Sequence, residues 1–291
     1  VTLPRRPEVE PRAILARLDP GLADAPLAEV GEGFDNVAYA VDGRLLLRVS
    51  KKTDPDRRRA DAERDAALLQ LIAAHMTLPT NEVVAADLDD GALLMTLVGG
   101  ATADQLPPLD PGAFAATMAR FLTELHALPA DDARHVALPD RSQQAWLDET
   151  VELWRQAESR FEPSDRAAVE KFLAEPAPAP PARMVFCHND LGDEHIILSD
   201  DGRDVSGVID WSDAVLGDPA RDLALLAFDF GPDMLDRVLR TYLPAEPDDP
   251  ALRDRALWFA RRAGVEGVAW RALNRPHTAP VALDRLRAVL A

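Results

Sequence analysis

Residues 186–202, FCHNDLGDEHIILSDDG, hold two of the chain's six histidines and five acids within seventeen positions. The apolar run IIL is followed by the turn SDDG and a second run, GVID, that ends at Asp210. Read alone, the segment is either a polar loop between two strands or a site. Two short neighbouring strands are expected to bring Asp190 and His195 close to Asp210. Asp210 would then offer hard oxygen, and His195 a nitrogen, to a divalent cation. A separate carboxylate, Asp190, can accept a hydrogen bond from a substrate hydroxyl. A zinc centre built on His188 and His195 lacks a third soft or imidazole ligand nearby. The other polar groups read as structural. His188 braces the loop, Asp193 and Glu194 are solvated loop acids within reach of a cationic substrate, Asp222 anchors a helix or loop, and His126 ends a helix with one apolar face.

The elements that must carry these residues change character along the chain. Before position 100 the pattern is mostly β. VAYAV (37–41) and RLLLRVS (44–50) are joined by Asp42-Gly43, a strong hairpin signal. An Ala-rich charged helix is expected over Arg57 to His75, followed by the strand-like runs VVAADL and ALLMTLV and a break at Gly99-Gly100. Beyond it, amphipathic helices are expected at 111–128 and 142–161 and in the runs LRDRALWFARRAGVEGVAWRAL and VALDRLRAVL. In GDPARDLALL, Asp218 and Pro219 suit the cap and start of a further helix. EPAPAPPA, residues 175–182, is a stiff extended connector leading to the strand MVFC. There is no internal repeat. The order implies an α+β chain with a small β-rich lobe, a hinge and a larger, mostly helical lobe.

At 291 residues, with 47% hydrophobic and 28% charged residues, the chain has the composition of a globular protein of one large domain or two lobes. No apolar run is long enough to span a membrane, and VTLPRRPEVEPR has no signal-type apolar core. One cysteine, Cys187, excludes an internal disulfide and suits a reducing cytoplasm, where it reads as a small buried hydrophobe. The net charge of −18 argues against nucleic-acid and membrane partners and favours cations. The excess is uneven: residues 200–255 carry 14 acids against 6 Arg.

The loop and the Asp210 segment together resemble the aminoglycoside and macrolide phosphotransferase family, distant relatives of protein kinases. The family's loop reads H-x-D with Asn or His a few residues on, and an I-D pair downstream. Here these are His188-Asn189-Asp190, His195 and Ile209-Asp210, followed by the matching GDPARDLALL. Histidine at 195 and the HND opening are similar to aminoglycoside 2''-phosphotransferases, and His195 also to macrolide kinases. The segment GEGFDNVAYAVDGRLLLRVSK is similar to both.

The resemblance implies a two-lobed protein-kinase-like fold, with a nucleotide-binding lobe over 1–98 and a helical lobe with catalytic loop and acceptor site over 99–291. It implies that Asp190 orients, and can deprotonate, the acceptor hydroxyl. His195 and Asp210 hold Mg²⁺ against the triphosphate of ATP or GTP. Gly31 and Gly33 let backbone approach the phosphates, and Thr96 and Val98 also fall in the nucleotide site. Arg48 stands where the family often has lysine, with Glu63 as its expected partner and Lys51 as the fallback. His188 and Asp218 structure the loop. Asp213, Glu266 and Trp270 are the candidate acceptor contacts. The implied activity is a cytoplasmic antibiotic O-phosphotransferase, monomeric or dimeric, acting on an aminoglycoside or a cationic peptide of the capreomycin and viomycin type. A macrolide 2'-phosphotransferase or a small-metabolite kinase is the alternative. The intact Asp190, His195 and Asp210 set argues against a non-catalytic pseudokinase.

Overall fold

The computed structural model describes residues 10–243 and 249–291; residues 1–9, included in the expected N-terminal lobe, lie outside the described residues. The chain divides into two compact units. One comprises the chain up to Gly100 together with Ser206–Ser212, and the other Ala101–Val205 with Asp213–Ala291.

The first unit begins with helix α1 (Pro11–Leu18) and continues through β1 (Leu27–Glu32), β2 (Asn36–Val41), β3 (Leu45–Ser50), α2 (Pro55–His75), β4 (Val83–Asp87) and β5 (Ala92–Thr96). Its antiparallel sheet has the order β1-β2-β3-β5-β4. NVAYAV alternates half-buried and buried residues, so Val37, Tyr39 and Val41 face the core. They meet Leu47, Val49, Ala92 and Leu94 there, with Ile14 and Leu15 of α1 packed against the same cluster. Asp42 and Gly43 both take positive φ, 50° and 64°, the backbone that a tight β2–β3 turn requires.

Helix α2 starts at Pro55 behind Asp54, whose side chain caps the N–H groups of Asp56 and Arg57. Its buried residues, Ala62, Asp65, Leu68, Leu69 and Ile72, recur at three- and four-residue spacing. The segment Ser206–Ser212 is fastened into this unit. Val208 N–H donates to the Pro79 carbonyl at 3.0 Å, and Trp211 Nε1 to Thr80 Oγ1 at 2.8 Å. A side chain at Gly207 would collide with that Pro79 oxygen, so only glycine permits the approach.

The second unit contains β6 (Ala101–Thr102), α3 (Pro111–His126), α4 (Ala130–Ala133), α5 (Gln143–Ala157), α6 (Pro163–Leu173), β7 (Val185–Cys187), β8 (Ile196–Leu198), the start of β9 (Val205–Val208), β10 (Val215–Gly217), α7 (Ala220–Phe230), α8 (Pro232–Leu239), α9 (Leu252–Asn274) and α10 (Ala279–Leu290). Strand β7 pairs antiparallel with β10, and β6 with β8. Helix α9 is flanked by α5, α7 and α10. Its buried positions, among them Phe259, Val265, Val268 and Ala272, are therefore spread around the helix rather than along one stripe. Among the described residues no helix is long and apolar enough to cross a membrane.

Candidate active site

The loop after β7 is held from beneath by Asp222 of α7. Asp222 Oδ2 accepts the His188 N–H at 3.0 Å and Oδ1 the Asn189 N–H at 2.7 Å. Asn189 adopts φ 69°, which turns the chain sharply towards Asp190. The Asp190 N–H points back to His188 Nδ1 at 3.3 Å, and His188 is fully buried. His195 Nδ1 lies 2.7 Å from the Asp190 carbonyl oxygen. A carbonyl only accepts, so Nδ1 carries the proton and Nε2 is the basic nitrogen of the neutral ring. The Asp190 carboxylate sits 3.6 Å from the same Nδ1 and is 44% exposed, against 15% for His195. Loop and ring are thus fixed by backbone bonds while the carboxylate stays open to solvent.

The anchor is itself braced. His126 bridges Asp222 Oδ2 at 3.0 Å and the Tyr242 hydroxyl at 2.6 Å, so the histidine ending α3 is structural. Burial pushes the Asp222 carboxyl up, but the hydrogen bond and charge of His126, aided by His188 and the Asn189 N–H, outweigh it and hold it below the usual range. Asp218 Oδ1 caps α7 through the Ala220 N–H, and the Arg255 fork grips both its oxygens at 2.8 and 3.1 Å. Burial pushes the Cys187 thiol well up, as suits an inert core residue. Asp193 departs from expectation. It is buried rather than solvated, and it is paired with Arg285 of α10 at 2.7 Å. Among the described residues two clusters are spaced closely enough for a metal, His126–Cys187–Asp222 and Asp193–Glu194–Asp229, and each has other partners. His126 uses both ring nitrogens, and Arg285 supplies the cation between Asp193 and Asp229.

Asp190 opens onto a cavity of about 440 Å³ within the second unit. Asp213, Glu266 and Trp270, the three expected acceptor contacts, all line it. The α9 residues Arg262, Glu266 and Trp270 share a face at four-residue spacing, and Arg262 Nη1 donates to Glu266. Among the lining residues that were not anticipated are Trp146, Arg221, Phe259 and Arg262. The Arg262 guanidinium stacks over the Trp146 ring at 4.4 Å from its centroid, with Arg221 at 5.1 Å. Burial pushes the Arg262 guanidinium down against the pull of Glu266. Arg221 pairs with Asp140 at 2.7 Å. The spacing of Arg262, Glu266 and Trp270 was a legible signal; the arrival of Trp146 from another helix had none.

In the first unit, Arg48 of β3 donates to Asp65 Oδ2 at 2.6 Å and to Ser212 Oγ at 3.0 Å. Ser212 Oγ donates in turn to Asp65 at 3.1 Å, and Arg64 spans Asp65 and the Ser212 carbonyl. Glu63 is therefore not the partner of Arg48. It is 53% exposed and pairs with Arg59. Two residues along a helix is more than half a turn, so with Asp65 facing the sheet Glu63 faces solvent. Lys51 is buried, and its Nζ donates to the Gly33 carbonyl at 2.6 Å and to Glu32 at 3.1 Å. Its charge holds the glycine turn. Gly31 lies inside β1, and Gly33 follows it. Thr96 Oγ1 accepts the Glu82 N–H and its carbonyl the Asn81 amide, while Val98 lies against Gly207. Asp210 has φ 62°, a left-handed backbone two residues before the Ser212 that Arg48 holds.

The profile described as a phosphotransferase enzyme family matches residues 26–258. Viomycin phosphotransferase of Streptomyces vinaceus is 28% identical over 236 residues, 78% of this chain and 82% of that protein. An aminoglycoside 3'-phosphotransferase of Escherichia coli is 27% identical over 217 residues, 70% of this chain and 76% of that protein. Among solved structures, the GDP complex of wild-type aminoglycoside 2'-phosphotransferase-IIIa superposes with a TM-score of 0.74 at 20% identity, covering 96% of both chains. Macrolide 2'-phosphotransferase type I gives 0.67 at 23%, covering 94% of this chain and 95% of that one. These likenesses establish the kinase-like phosphotransferase fold, with an antiparallel sheet in the N-terminal region and a helical C-terminal region. With the family's profile matched over most of its length, the chain belongs to the phosphotransferase enzyme family.

Proposed function

We propose that this enzyme moves the γ-phosphate of ATP or GTP to a hydroxyl of a cationic antibiotic, either an aminoglycoside or a cationic peptide of the capreomycin and viomycin type. The observation that carries the reading is the half-exposed Asp190 carboxylate at the edge of a cavity whose walls supply two further acids, Asp213 and Glu266, and two indoles. Carboxylates there bind ammonium groups, and the indoles cover the ligand's apolar faces. Asp190 accepts the acceptor's hydroxyl proton as its oxygen bonds to the γ-phosphorus. The bond to the bridging oxygen breaks, and the nucleoside diphosphate leaves.

The donors suited to Mg²⁺ are the exposed Asp210 carboxylate, a hard oxygen, and His195 through Nε2, the nitrogen left basic by the Nδ1 hydrogen bond. When bound, the ion neutralises charge on the phosphates. Arg48, pre-set by Asp65 and Ser212, is the phosphate-facing cation in this reading, and Lys51 holds the end of β1 at Glu32 and Gly33. The named activities of the relatives, on viomycin and on aminoglycosides, support the substrate class, and structures bound to GDP and to ATP support a nucleotide donor. A macrolide acceptor is the second reading, favoured by the apolar wall of Trp146, Leu153, Leu225 and Phe259.

The test is consumption of ATP and of GTP with Mg²⁺ across aminoglycosides, capreomycin, viomycin and macrolides. One cationic class should stimulate turnover, and Asp190→Ala should lower that rate at least a hundredfold with nucleotide affinity within twofold of wild type. Stimulation by macrolides alone would replace the cationic reading. An Asp190→Ala enzyme keeping more than a tenth of kcat would remove Asp190 from its role.

A further inference from the structure

The chain from Asp190 to His195 is tied to helices at both ends, and the second tie runs through a residue far downstream. Asp193 opens the single-turn 3-10 helix Asp193–His195, and its N–H donates to Asp229 Oδ2 of α7 at 3.1 Å. That bond brings two carboxylates together, Asp193 and Asp229, whose side chains are only 7% and 6% exposed. Two buried carboxylates this close repel when ionised unless a cation lies between them. Arg285 of α10 fills that place with both arms of its fork. Nη2 donates to Asp193 Oδ2 at 2.7 Å and Nη1 to Asp229 Oδ1 at 2.6 Å. The planar guanidinium bridges two adjacent carboxylates in a geometry that an ammonium cannot match.

His195 is the last residue of the same turn, with its ring fixed on the other side by the Asp190 carbonyl. Arg285 does not line the cavity beside Asp190. Its effect on the reaction therefore runs through the turn that carries the histidine. We infer that Arg285 is a positioning residue for His195: its bridge between Asp193 and Asp229 locks the 3-10 turn and so aims Nε2. The inference rests on the reading of His195 as a metal donor given above.

The experiment follows Mn²⁺ binding to the enzyme–ADP or enzyme–GDP complex by electron paramagnetic resonance. Nucleotide affinity is measured separately in EDTA, and wild type is compared with Arg285→Gln, Arg285→Lys and His195→Ala, each below its melting temperature. Partners that orient a metal-binding histidine typically change metal affinity by about ten- to a hundredfold. Arg285→Gln should weaken Mn²⁺ binding by about tenfold, His195→Ala by at least as much, and Arg285→Lys by less. Metal-free nucleotide affinity should stay within twofold. Wild-type Mn²⁺ affinity in Arg285→Gln beside a loss in His195→Ala would reduce Arg285 to a structural ion pair and overturn the inference alone. Wild-type affinity in His195→Ala would remove His195 as a donor, and the inference would fall with that reading. If Arg285→Gln is not recovered folded, Arg285→Lys decides the matter: weakened Mn²⁺ binding supports the inference, and wild-type binding overturns it.

Discussion

Trp146 stands between two jobs. Its ring is a wall of the cavity beside Asp190, and it also supports the guanidinium of the buried Arg262 at 4.4 Å. Replacing it by alanine removes an aromatic wall and loosens the Arg262–Glu266 pair that shares the cavity. Trp146→Ala should raise the acceptor KM about tenfold, equivalent to ~1.4 kcal/mol, with kcat changed less than threefold and nucleotide KM unchanged. Trp146→Phe, which keeps an aromatic face, should stay near wild type. Steady-state kinetics with the acceptor varied provides the check, and an unchanged KM in Trp146→Ala would take the acceptor elsewhere. Part of this site was legible in the sequence because it is local. His188, Asp190 and His195 lie within eight positions, and with the Ile209-Asp210 pair downstream they carry the resemblance. Trp146 was not legible, since it reaches the cavity from another helix, at a position more than forty residues before the loop. The partner of Arg48 lay between the two cases. Glu63 and Asp65 are both acids on one helix, and the choice depends on which face meets the sheet, a matter of two residues.

Elements were readable in proportion to how strongly burial marks them. Helices α2, α3, α5, α9 and α10 are long or strongly patterned, and each lies within a few residues of its expected span. β1 was missed because LAEVGE buries almost nothing: it is an edge strand held by backbone bonds to β2, so no alternation marks it. α1 is eight residues long and buries only Ile14 and Leu15, too little for a period to show. The junction of α7, α10 and the 3-10 turn is hidden from the sequence altogether, and it carries a pH dependence. Burial, followed by the Asp193 and Glu194 charges, raises the Asp229 carboxyl from 3.8 to about 7 against the pull of Arg285. Between those values the folded state holds a proton that the unfolded chain releases. The contribution of Asp229 is therefore most favourable below about pH 4, declines as pH rises, and levels off above about pH 7. At 1.36 kcal/mol per unit, the loss between pH 5 and 7 is on the order of 2 to 3 kcal/mol. Asp229→Asn should flatten the fall in unfolding free energy between pH 5 and 8 by about that amount, as measured by urea denaturation at each pH. A slope equal to wild type would mean that Asp229 is ionised across the whole range.

For the whole molecule the dominant fact is charge: −18 at pH 7, set by 50 acids against 32 bases. A field of that sign acts oppositely on the two substrates of the proposed reaction. It draws a cationic acceptor towards the enzyme and opposes an anionic nucleotide. Salt shortens the reach of the field, from roughly 20 Å at 20 mM to roughly 6 Å at 300 mM. Raising NaCl across that interval should therefore lower kcat/KM for a cationic acceptor by about three- to tenfold, while kcat/KM for the nucleotide, at fixed excess Mg²⁺, holds or rises. Opposite signs are the diagnostic, because salt damage to the enzyme would lower both together. The acceptor's own charge supplies a second axis. Within one antibiotic class, removing one ammonium group by N-acetylation at a position remote from the reacting hydroxyl should reduce the salt effect. Parallel falls for both substrates would mean that salt acts on the protein itself. An acceptor kcat/KM unmoved by salt would confine recognition to short-range contacts in the cavity, with Asp213 and Glu266 as the acids left to make them.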